Sequence, residues 1–440
     1  MRFLLLTICT FQIAVCHLPI AFCRADLSSD PDAWFSEYAD SLVELYRHLH
    51  QNPELSLHEE ETAARVAKEL RDVGAKVTTG VGGHGVVGVL KNGPGKVLML
   101  RADTDALPVA EQTGLPYASK VRTPDARGAT VGVMHACGHD VHMANLIGVA
   151  RYLATHREGW SGTLMFVFQP AEELGAGAQA MLADGLFARF PRPDFAVALH
   201  VSADAPTGQV GYRPGFALAN VDSVDIVVKG RGGHGASPEA TIDPIVIAAR
   251  LVLDLQTIVG REVKPISPAV VTVGSIHAGT KHNIISDECR LQLTLRSFTP
   301  EVRQQLQEAV RRKALAAAAS AGAPEPSVEI SEGTPALYND PTLTAQVAGT
   351  LARLLGKKNV VEGEPVMGVE DFGRYGRAGV PICMFRLGSV SQQRLDEFAK
   401  RNEPPPSLHS PVYYPDAADT LAVGVPALAS IALDLLAPEP

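Results

Sequence analysis

The chain has 440 residues and a formal net charge of −9 at pH 7. This length exceeds what one hydrophobic core usually serves, so we expect two domains. The negative charge argues against nucleic acid or an anionic membrane surface as the main partner. Hydrophobic residues at 46% and charged residues at 20% are ordinary for a soluble globular enzyme.

The first 25 residues form an apolar leader. Arg2 precedes a mostly apolar stretch at 3–22, and charge returns only at Arg24 and Asp26. This pattern is typical of a secretory signal peptide that is cleaved after Ala25. The stretch also approaches the length that spans a bilayer, so a retained membrane anchor is the alternative. We therefore expect an exported protein, periplasmic or secreted, in preference to an anchored one.

The segment from the leader to about residue 214 alternates between helical and extended patterns. Residues 33–50 and 59–73 have the periodicity of helices, and Gly74 follows the second. Later elements follow in order: strands at 76–79, 86–91 and 97–101, a helix at 141–156, and strands at 163–168 and 195–199. Alternating strands and helices predict an α/β domain built on a mostly parallel sheet.

The pattern changes near residue 215. It predicts strands at 222–229, 269–276 and 288–296 and helices at 244–259 and 300–321. This order predicts a small α+β domain inserted into the larger one, because the α/β pattern resumes near Thr342. We therefore expect a leader at 1–25, a discontinuous catalytic domain at 26–214 and 333–440, and an inserted domain at 215–332.

Residues that can bind metal stand at the ends of the apolar strands, where open α/β sheets build their sites. In chain order they are Asp103, Asp105, His135, Cys137, His139, Asp140, Glu172, Glu173 and His200. Thiolate and imidazole suit zinc or other late first-row metals, and a carboxylate such as Glu173 broadens the choice toward manganese. We expect Asp105 and Asp140 to orient the ligand histidines.

Cys137 allows three interpretations. It is one of three widely spaced cysteines outside the leader, so no disulfide framework is expected. It could be a buried thiol, a nucleophile or a metal ligand. A nucleophile would leave Glu173 and His200 without a task. Ligation is favoured, and the neighbouring Glu172 is then free to act as a general base.

Eight segments occur together in the chain, in this order: LRADTDALP (100–108), MHACGHD (134–140), FQPAEE (168–173), LH (199–200), GGHGASP (232–238), HNIISD (282–287), GVEDFG (368–373) and LHSP (408–411). They resemble the amidohydrolase branch of the aminoacylase and carboxypeptidase family, which includes hippurate hydrolases and auxin-conjugate hydrolases. The resemblance implies a catalytic domain that binds two metals and an inserted lid or dimerisation domain.

The resemblance also implies roles for individual residues. Five match the family's metal ligands: Cys137, His139, Glu173, His200 and His409. Cys137 matches the ligand that bridges the two metals, and Glu172 matches the general base. His234 matches a histidine that reaches the neighbouring subunit's active site and stabilises the oxyanion. Asn283 and Arg296 match groups that hold the substrate carboxylate.

The activity implied by the resemblance is hydrolysis of the amide bond of an N-acyl amino acid or a similar conjugate with a free carboxylate. The implied cofactors are two divalent cations per subunit, zinc or manganese, with cobalt or nickel as alternatives, and the implied assembly is a homodimer through the inserted domain. A metallo-carboxypeptidase or dipeptidase is the alternative enzyme, and a catalytically silent binder is the alternative outside that class. Val141 and Met143 depart from the family's glycine and threonine, and we expect them to alter the pocket lining.

Overall fold

The computed structural model describes residues 30–438. The predicted leader at 1–25 lies outside the described residues. Eleven α-helices fall within the described range: α1 (Pro31–Gln51), α2 (Glu60–Asp72), α3 (His139–Thr155), α4 (Gly177–Ala183), α5 (Leu186–Arg189), α6 (Pro244–Thr257), α7 (Pro300–Ser320), α8 (Pro341–Leu355), α9 (Gly373–Arg377), α10 (Gln392–Lys400) and α11 (Ala417–Leu435).

The strands of the same range number eighteen: β1 (Lys76–Val81), β2 (Gly85–Asn92), β3 (Val97–Asp103), β4 (Arg122–Pro124), β5 (Thr130–Gly132), β6 (Gly162–Gln169), β7 (Phe195–Pro206), β8 (Val210–Tyr212), β9 (Gly215–Leu218), β10 (Asn220–Lys229), β11 (Gly233–His234), β12 (Ala269–Ala278), β13 (Ile284–Ile285), β14 (Glu288–Ser297), β15 (Ser327–Glu332), β16 (Leu337–Asn339), β17 (Val360–Glu362) and β18 (Ile382–Val390).

The largest sheet has eight strands in the order β1-β2-β6-β3-β7-β18-β8-β17. Its four central strands, β6, β3, β7 and β18, are parallel, while β1 and β2 add an antiparallel edge. Every residue of β6 is buried, as expected for a strand covered on both faces. The expected α/β class with a mostly parallel sheet is confirmed.

Helices cover both faces of this sheet. On one face α1, α3 and α11 pack together over a core that includes Trp34, Phe166 and Phe385. The apolar helix α11 is long enough to cross a membrane, but eleven of its residues are buried in the protein. On the other face a second core includes Met181 and Phe372. Because the central strands are parallel, their carboxyl ends meet at one edge, where the candidate site forms.

A second sheet lies within the segment that we predicted as an inserted domain. Its four antiparallel strands follow the order β12-β14-β10-β15. Helices α6 and α7 cover one face, and the buried residues of the core between them all come from 224–317. The sequence analysis missed strand β15, because its SVEISE segment is short and rich in polar residues.

The separate core of this second sheet generates a stability prediction. On helix α6, Leu251 is fully buried and Leu253 is 70% exposed. We expect Leu251→Ala to lower the free energy of unfolding by about 2–5 kcal/mol, because it leaves a cavity. Leu253→Ala is the matched control, expected to stay within about 0.5 kcal/mol of wild type. Urea unfolding followed by circular dichroism checks both, and equal effects of the two substitutions would contradict the packing.

Candidate metal centre and active site

The candidate site is assembled from the carboxyl ends of three central strands and the start of helix α3. Strand β3 ends at Asp103, Glu172 and Glu173 follow the end of β6, and His200 lies within β7. Gly138, directly before α3, has a φ of +79°. A Cβ atom there would lie 2.6 Å from a methyl group of Val201, so the turn that presents the HACGHD segment requires glycine.

Two histidines direct their Nε2 atoms into the site. His139 Nδ1 lies 2.8 Å from the carbonyl oxygen of Asp105, and His200 Nδ1 lies 2.8 Å from that of Val201. A carbonyl oxygen only accepts hydrogen bonds, so each Nδ1 carries the proton and each Nε2 presents a lone pair. His139 Nε2 is buried with no hydrogen-bond partner among the described residues. Both rings therefore have the tautomer of a metal ligand.

Cys137, Glu173 and His409 place their donor atoms beside these lone pairs. Cys137 Sγ lies 3.6 Å from His200 Nε2. Glu173 Oε1 lies 3.8 Å from His139 Nε2 and 3.4 Å from His409 Nε2. That oxygen is buried and lacks hydrogen-bond geometry to any described group. The structure thus brings all five sequence-predicted ligands together.

The loop that carries His409 is tied to the segment around Cys137. The backbone N–H of His409 donates to the carbonyl oxygen of Ala136 over 2.8 Å. His409 has a φ of +70°, which is uncommon for a residue other than glycine. Such strain persists where the surroundings enforce it, and it is concentrated at functional sites.

Several buried acids lie on the inner side of the cluster. Carboxylate oxygens of Glu172, Glu370 and Asp371 lie within 4.8 Å of one another. Burial raises the pKa of Glu172 well above its usual value, and the charges of Glu370 and Glu173 raise it further. Burial likewise raises the pKa of Glu370 to about 7. A raised pKa makes the Glu172 carboxylate a stronger proton acceptor, which suits an acid–base catalyst.

One buried arginine partly neutralises these acids. The side chain of Arg101 donates to Asp103 over 2.7 Å, to Glu370 over 2.8 Å and to Asp371 over 3.1 Å. Its Nε donates to Gln169 over 3.0 Å. This guanidinium is fully buried, so it fixes strand β3 against the segment that precedes α9.

The chemistry of the donor set fits divalent cations. Burial raises the pKa of the Cys137 thiol well above its usual value and lowers the pKa of His200 well below its own. A bound cation supplies the charge that stabilises a buried thiolate, and a neutral imidazole is the form that ligates. Sulfur, nitrogen and carboxylate oxygen donors together suit zinc and other first-row metals.

His142 and Asp103 support the site. The sequence analysis did not name His142, and it listed Asp103 only among the residues that can bind metal. His142 Nδ1 lies 2.6 Å from Asp103 Oδ1, while His142 Nε2 accepts a hydrogen bond from the backbone N–H of Val201 over 2.9 Å. Both ring nitrogens are occupied, so His142 orients the strand that carries His200. The sequence could have indicated His142, because it follows His139 by one helical turn and so lies on the same face of α3.

The two aspartates expected to orient ligand histidines differ. The Asp105 carbonyl accepts from His139, and the Asp105 carboxylate accepts hydrogen bonds from Ser56 Oγ and from the backbone N–H of Glu173. Asp105 thus contacts both His139 and Glu173, and its role in orienting the ligands stays a prediction. Asp140 instead binds His50 over 2.7 Å and caps its own helix at Val141, so the expected role for Asp140 is wrong.

The expectation that Val141 and Met143 alter the pocket lining is also wrong. Both side chains are fully buried in the core beneath the sheet. Helix α3 is buried along most of its length, so residues directly after the ligands point into the core rather than into the site.

A cavity of about 770 Å³ opens in front of the cluster. Its walls include Cys137, Glu172, Glu173, His200, His409 and Arg296. His234 and Asn283 do not line it within this chain. They lie together on the exposed ribbon formed by β11 and β13, where the N–H of Gly235 donates to the carbonyl oxygen of Asn283. Of the three residues within 215–332 that we expected to contact substrate, one chain brings only Arg296 to the cavity.

Comparison with known proteins identifies the family. The sequence profile of the peptidase family M20/M25/M40 matches residues 99–404. The chain is 38% identical over 362 residues to thermostable carboxypeptidase 2 of Saccharolobus solfataricus, covering 81% of this chain and 88% of that protein. It is 39% identical over 333 residues to the hippurate hydrolase of Campylobacter jejuni, covering 75% and 84%. The chain belongs to this peptidase family.

A solved structure extends the comparison to the metal centre. A dinuclear metal-binding peptidase of the M20 family from Bacillus subtilis superposes with a TM-score of 0.76 at 32% identity, covering 91% of this chain and 99% of that one. The expected resemblance to metal-dependent amidohydrolases is confirmed. The protein is a metal-dependent enzyme that hydrolyses amide bonds.

The ligand geometry predicts different effects at two buried cysteines. Cys137 lies in the donor cluster, whereas Cys383 is equally buried within β18 and outside the cluster. We expect Cys137→Ala to weaken metal affinity by more than about 100-fold, the upper range for loss of an outer hydrogen-bond partner. Cys383→Ala should keep the wild-type metal content. Elemental analysis after dialysis at a fixed metal concentration checks this, and unchanged metal in Cys137→Ala would refute its role as a ligand.

Proposed function

We propose that this enzyme hydrolyses the amide bond of N-acyl amino acids, or of similar conjugates with a free carboxylate. The observation that carries the proposal is Glu172, a buried carboxyl group that lines the cavity beside the unpartnered His139 Nε2 and Glu173 Oε1. Relatives named hippurate hydrolase and IAA-amino acid hydrolase, the latter from Arabidopsis thaliana, support this substrate class.

The proposed cofactors are two divalent cations, zinc or manganese, with cobalt or nickel as alternatives. The residues proposed to hold them are Cys137, His139, Glu173, His200 and His409. When bound, the cations supply the charge that lowers the pKa of water from about 15.7 toward about 7 and polarises the amide carbonyl. The dinuclear metal-binding relative from Bacillus subtilis supports two ions rather than one.

Glu172 is proposed to move the proton. Its Oε2 lies 4.0 Å from His139 Nε2, at the boundary between the donor cluster and the cavity. Its raised pKa allows Glu172 to take a proton from water during attack on the carbonyl and to return that proton to the leaving amine. Arg101 holds the neighbouring Glu370 and Asp371, which keeps Glu172 in a fixed environment.

His234 is proposed to stabilise the oxyanion in the active site of a second subunit. Its Nδ1 accepts a hydrogen bond from the backbone N–H of Ala236 over 3.0 Å. In the neutral ring the proton is therefore on Nε2, which is free to donate to a developing oxyanion. We propose that residues 215–332 act as a lid and dimerisation domain, and that Asn283 and Arg296 bind the substrate carboxylate.

Export is proposed for the protein on the basis of its leader at 1–25. Within the described residues, all three cysteines are free and buried. We therefore propose export to an oxidising compartment without a structural disulfide among the described residues. In the proposed site the thiol of Cys137 is held by metal.

Substitution of Glu172 separates catalysis from metal binding. We expect Glu172→Gln to keep bound metal but to lower kcat for N-benzoylglycine at least about 100-fold, because the amide cannot accept the proton from water. Glu158→Gln is the control. Glu158 is exposed in the short turn that follows helix α3, and this variant should retain wild-type kcat. A wild-type rate in Glu172→Gln would remove the general base from the proposal.

The same assay distinguishes the alternative enzyme. Similarity to a carboxypeptidase favours short peptides as a second candidate substrate class. Turnover of N-benzoylglycine and N-acetylalanine should exceed turnover of a free dipeptide by wild-type, metal-loaded enzyme. Preference for the dipeptide would favour a dipeptidase or carboxypeptidase, and a flat screen would favour a catalytically silent binder.

Mixed dimers test the role of His234. We expect both His234→Ala and Glu172→Gln homodimers to be nearly inactive. A heterodimer purified through two different affinity tags should recover about half the wild-type rate per dimer, because one of its two symmetric sites then carries neither lesion. An inactive heterodimer, or a fully active monomer, would contradict action across the interface.

A further inference from the structure

Arg386 lies directly beside a proposed metal ligand. Strand β18 runs parallel to β7, and Arg386 is in register with His200. Neighbouring parallel strands place paired residues on the same face, and both side chains line the 770 Å³ cavity. On the other side, Arg386 pairs with Gly211 of β8, which has no side chain to cover it. A guanidinium group therefore stands at the sheet wall of the cavity.

The guanidinium group of Arg386 has no hydrogen-bond or ion-pair partner among residues 30–438, although its backbone is paired in the sheet. Arg213, which follows β8 and lines the same cavity, is only partly satisfied: one terminal nitrogen lies 3.4 Å from Glu362 Oε1 and 3.3 Å from the carbonyl oxygen of Gly363. Its Nε is buried without a hydrogen-bond partner. Two arginines on adjacent strands thus present unused donors to one cavity.

The charges around the cavity favour an anion at this wall. Apart from the acids of the metal cluster, two carboxylates line the cavity, those of Asp204 and Glu364. Neither forms an ion pair with Arg386, and Asp204 accepts a hydrogen bond from Ser202. With Arg296, three guanidinium groups face these two carboxylates. Arginine recognises carboxylates through its planar pair of donors, so an acid group on the substrate is the natural partner.

We propose that Arg386, assisted by Arg213, binds a second carboxylate of the substrate, so that the enzyme prefers amides with an acid group beyond the one next to the scissile bond. The inference rests on the proposed function. In that proposal the first carboxylate is held by Arg296, which lies on β14 of the four-stranded sheet, whereas Arg386 lies on the eight-stranded sheet. The cavity volume is ample for a small substrate that spans both walls.

The second carboxylate has two possible positions, and matched substrate pairs distinguish them. N-Acetylglutamate and N-acetylglutamine differ only in an acid on the amino acid side chain. N-Succinylalanine and its terminal amide differ only in an acid on the acyl group. We expect wild-type kcat/KM to favour the acid member of at least one pair by about tenfold or more, the effect of one charged hydrogen-bonded contact.

Variants assign this preference to Arg386. In Arg386→Gln the acid-to-amide ratio of kcat/KM should fall to about one, through a higher KM for the acid, and Arg386→Lys should restore part of the ratio. Arg71→Gln removes an exposed arginine from helix α2, outside the cavity, and should leave the ratio unchanged.

Three outcomes would overturn the inference. A wild-type ratio near or below one in both pairs would show that no second acid is recognised. Equal losses for acid and amide in Arg386→Gln would place Arg386 on the first carboxylate instead. Either result leaves hydrolysis of N-acyl amino acids standing. Failure to hydrolyse all four compounds would overturn the inference and the proposed function together.

Discussion

Compensation of buried negative charge is the constraint on which the site depends. Removing a carboxylate from water is costly unless a cation or hydrogen-bond donors replace the solvent. Arg101 does this for Asp103, Glu370 and Asp371. Glu172 and Glu173 remain on the open side of the arginine, together with the Cys137 thiol. Arg101 thus compensates the negative charge of the inner acids. The thiol and carboxylate donors that line the cavity have no such partner, and the charge of a bound cation would stabilise them.

Proton positions on the histidines follow from the surrounding backbone. Carbonyl oxygens of Asp105 and Val201 fix the Nδ1 protons of His139 and His200, and this leaves both Nε2 lone pairs directed to the cluster. His142 is oriented in the opposite sense, since its Nε2 accepts from Val201 and its Nδ1 binds Asp103. Two of the three histidines are therefore free to ligate, and the third holds in place the strand that carries His200.

The cavity combines groups from both sheets. Its metal side comes from the parallel sheet, while Arg296 and Val221 come from the four-stranded sheet. A substrate bound there contacts both sheets, so the position of the second sheet bears directly on catalysis. In the proposed dimer, the exposed ribbon that carries His234 contributes to the oxyanion site of the second subunit.

Local patterns in the sequence predicted the α/β class, the principal helices and strands between residues 33 and 321, and the donors Cys137, His139, Glu173 and His200. His409 followed from the family resemblance. Hydrophobic periodicity reports which face of a helix or strand is buried, and ligand types recur at strand ends, so both can be read without the tertiary structure. The same information missed β15, whose pattern is polar, and misassigned Asp140, Val141 and Met143.

The remaining features of the site depend on contacts between residues that are far apart in the chain. Arg101 meets Glu370 across 269 residues of chain, Asp140 meets His50 across 90, and Arg386 meets His200 through the register of two parallel strands. Periodicity within a segment carries no information about which segment lies beside it, or with what register. The residues that supply the donor atoms could therefore be identified from the sequence. Which charges neutralise them, and which guanidinium groups remain free in the cavity, was set by the packing of the sheet.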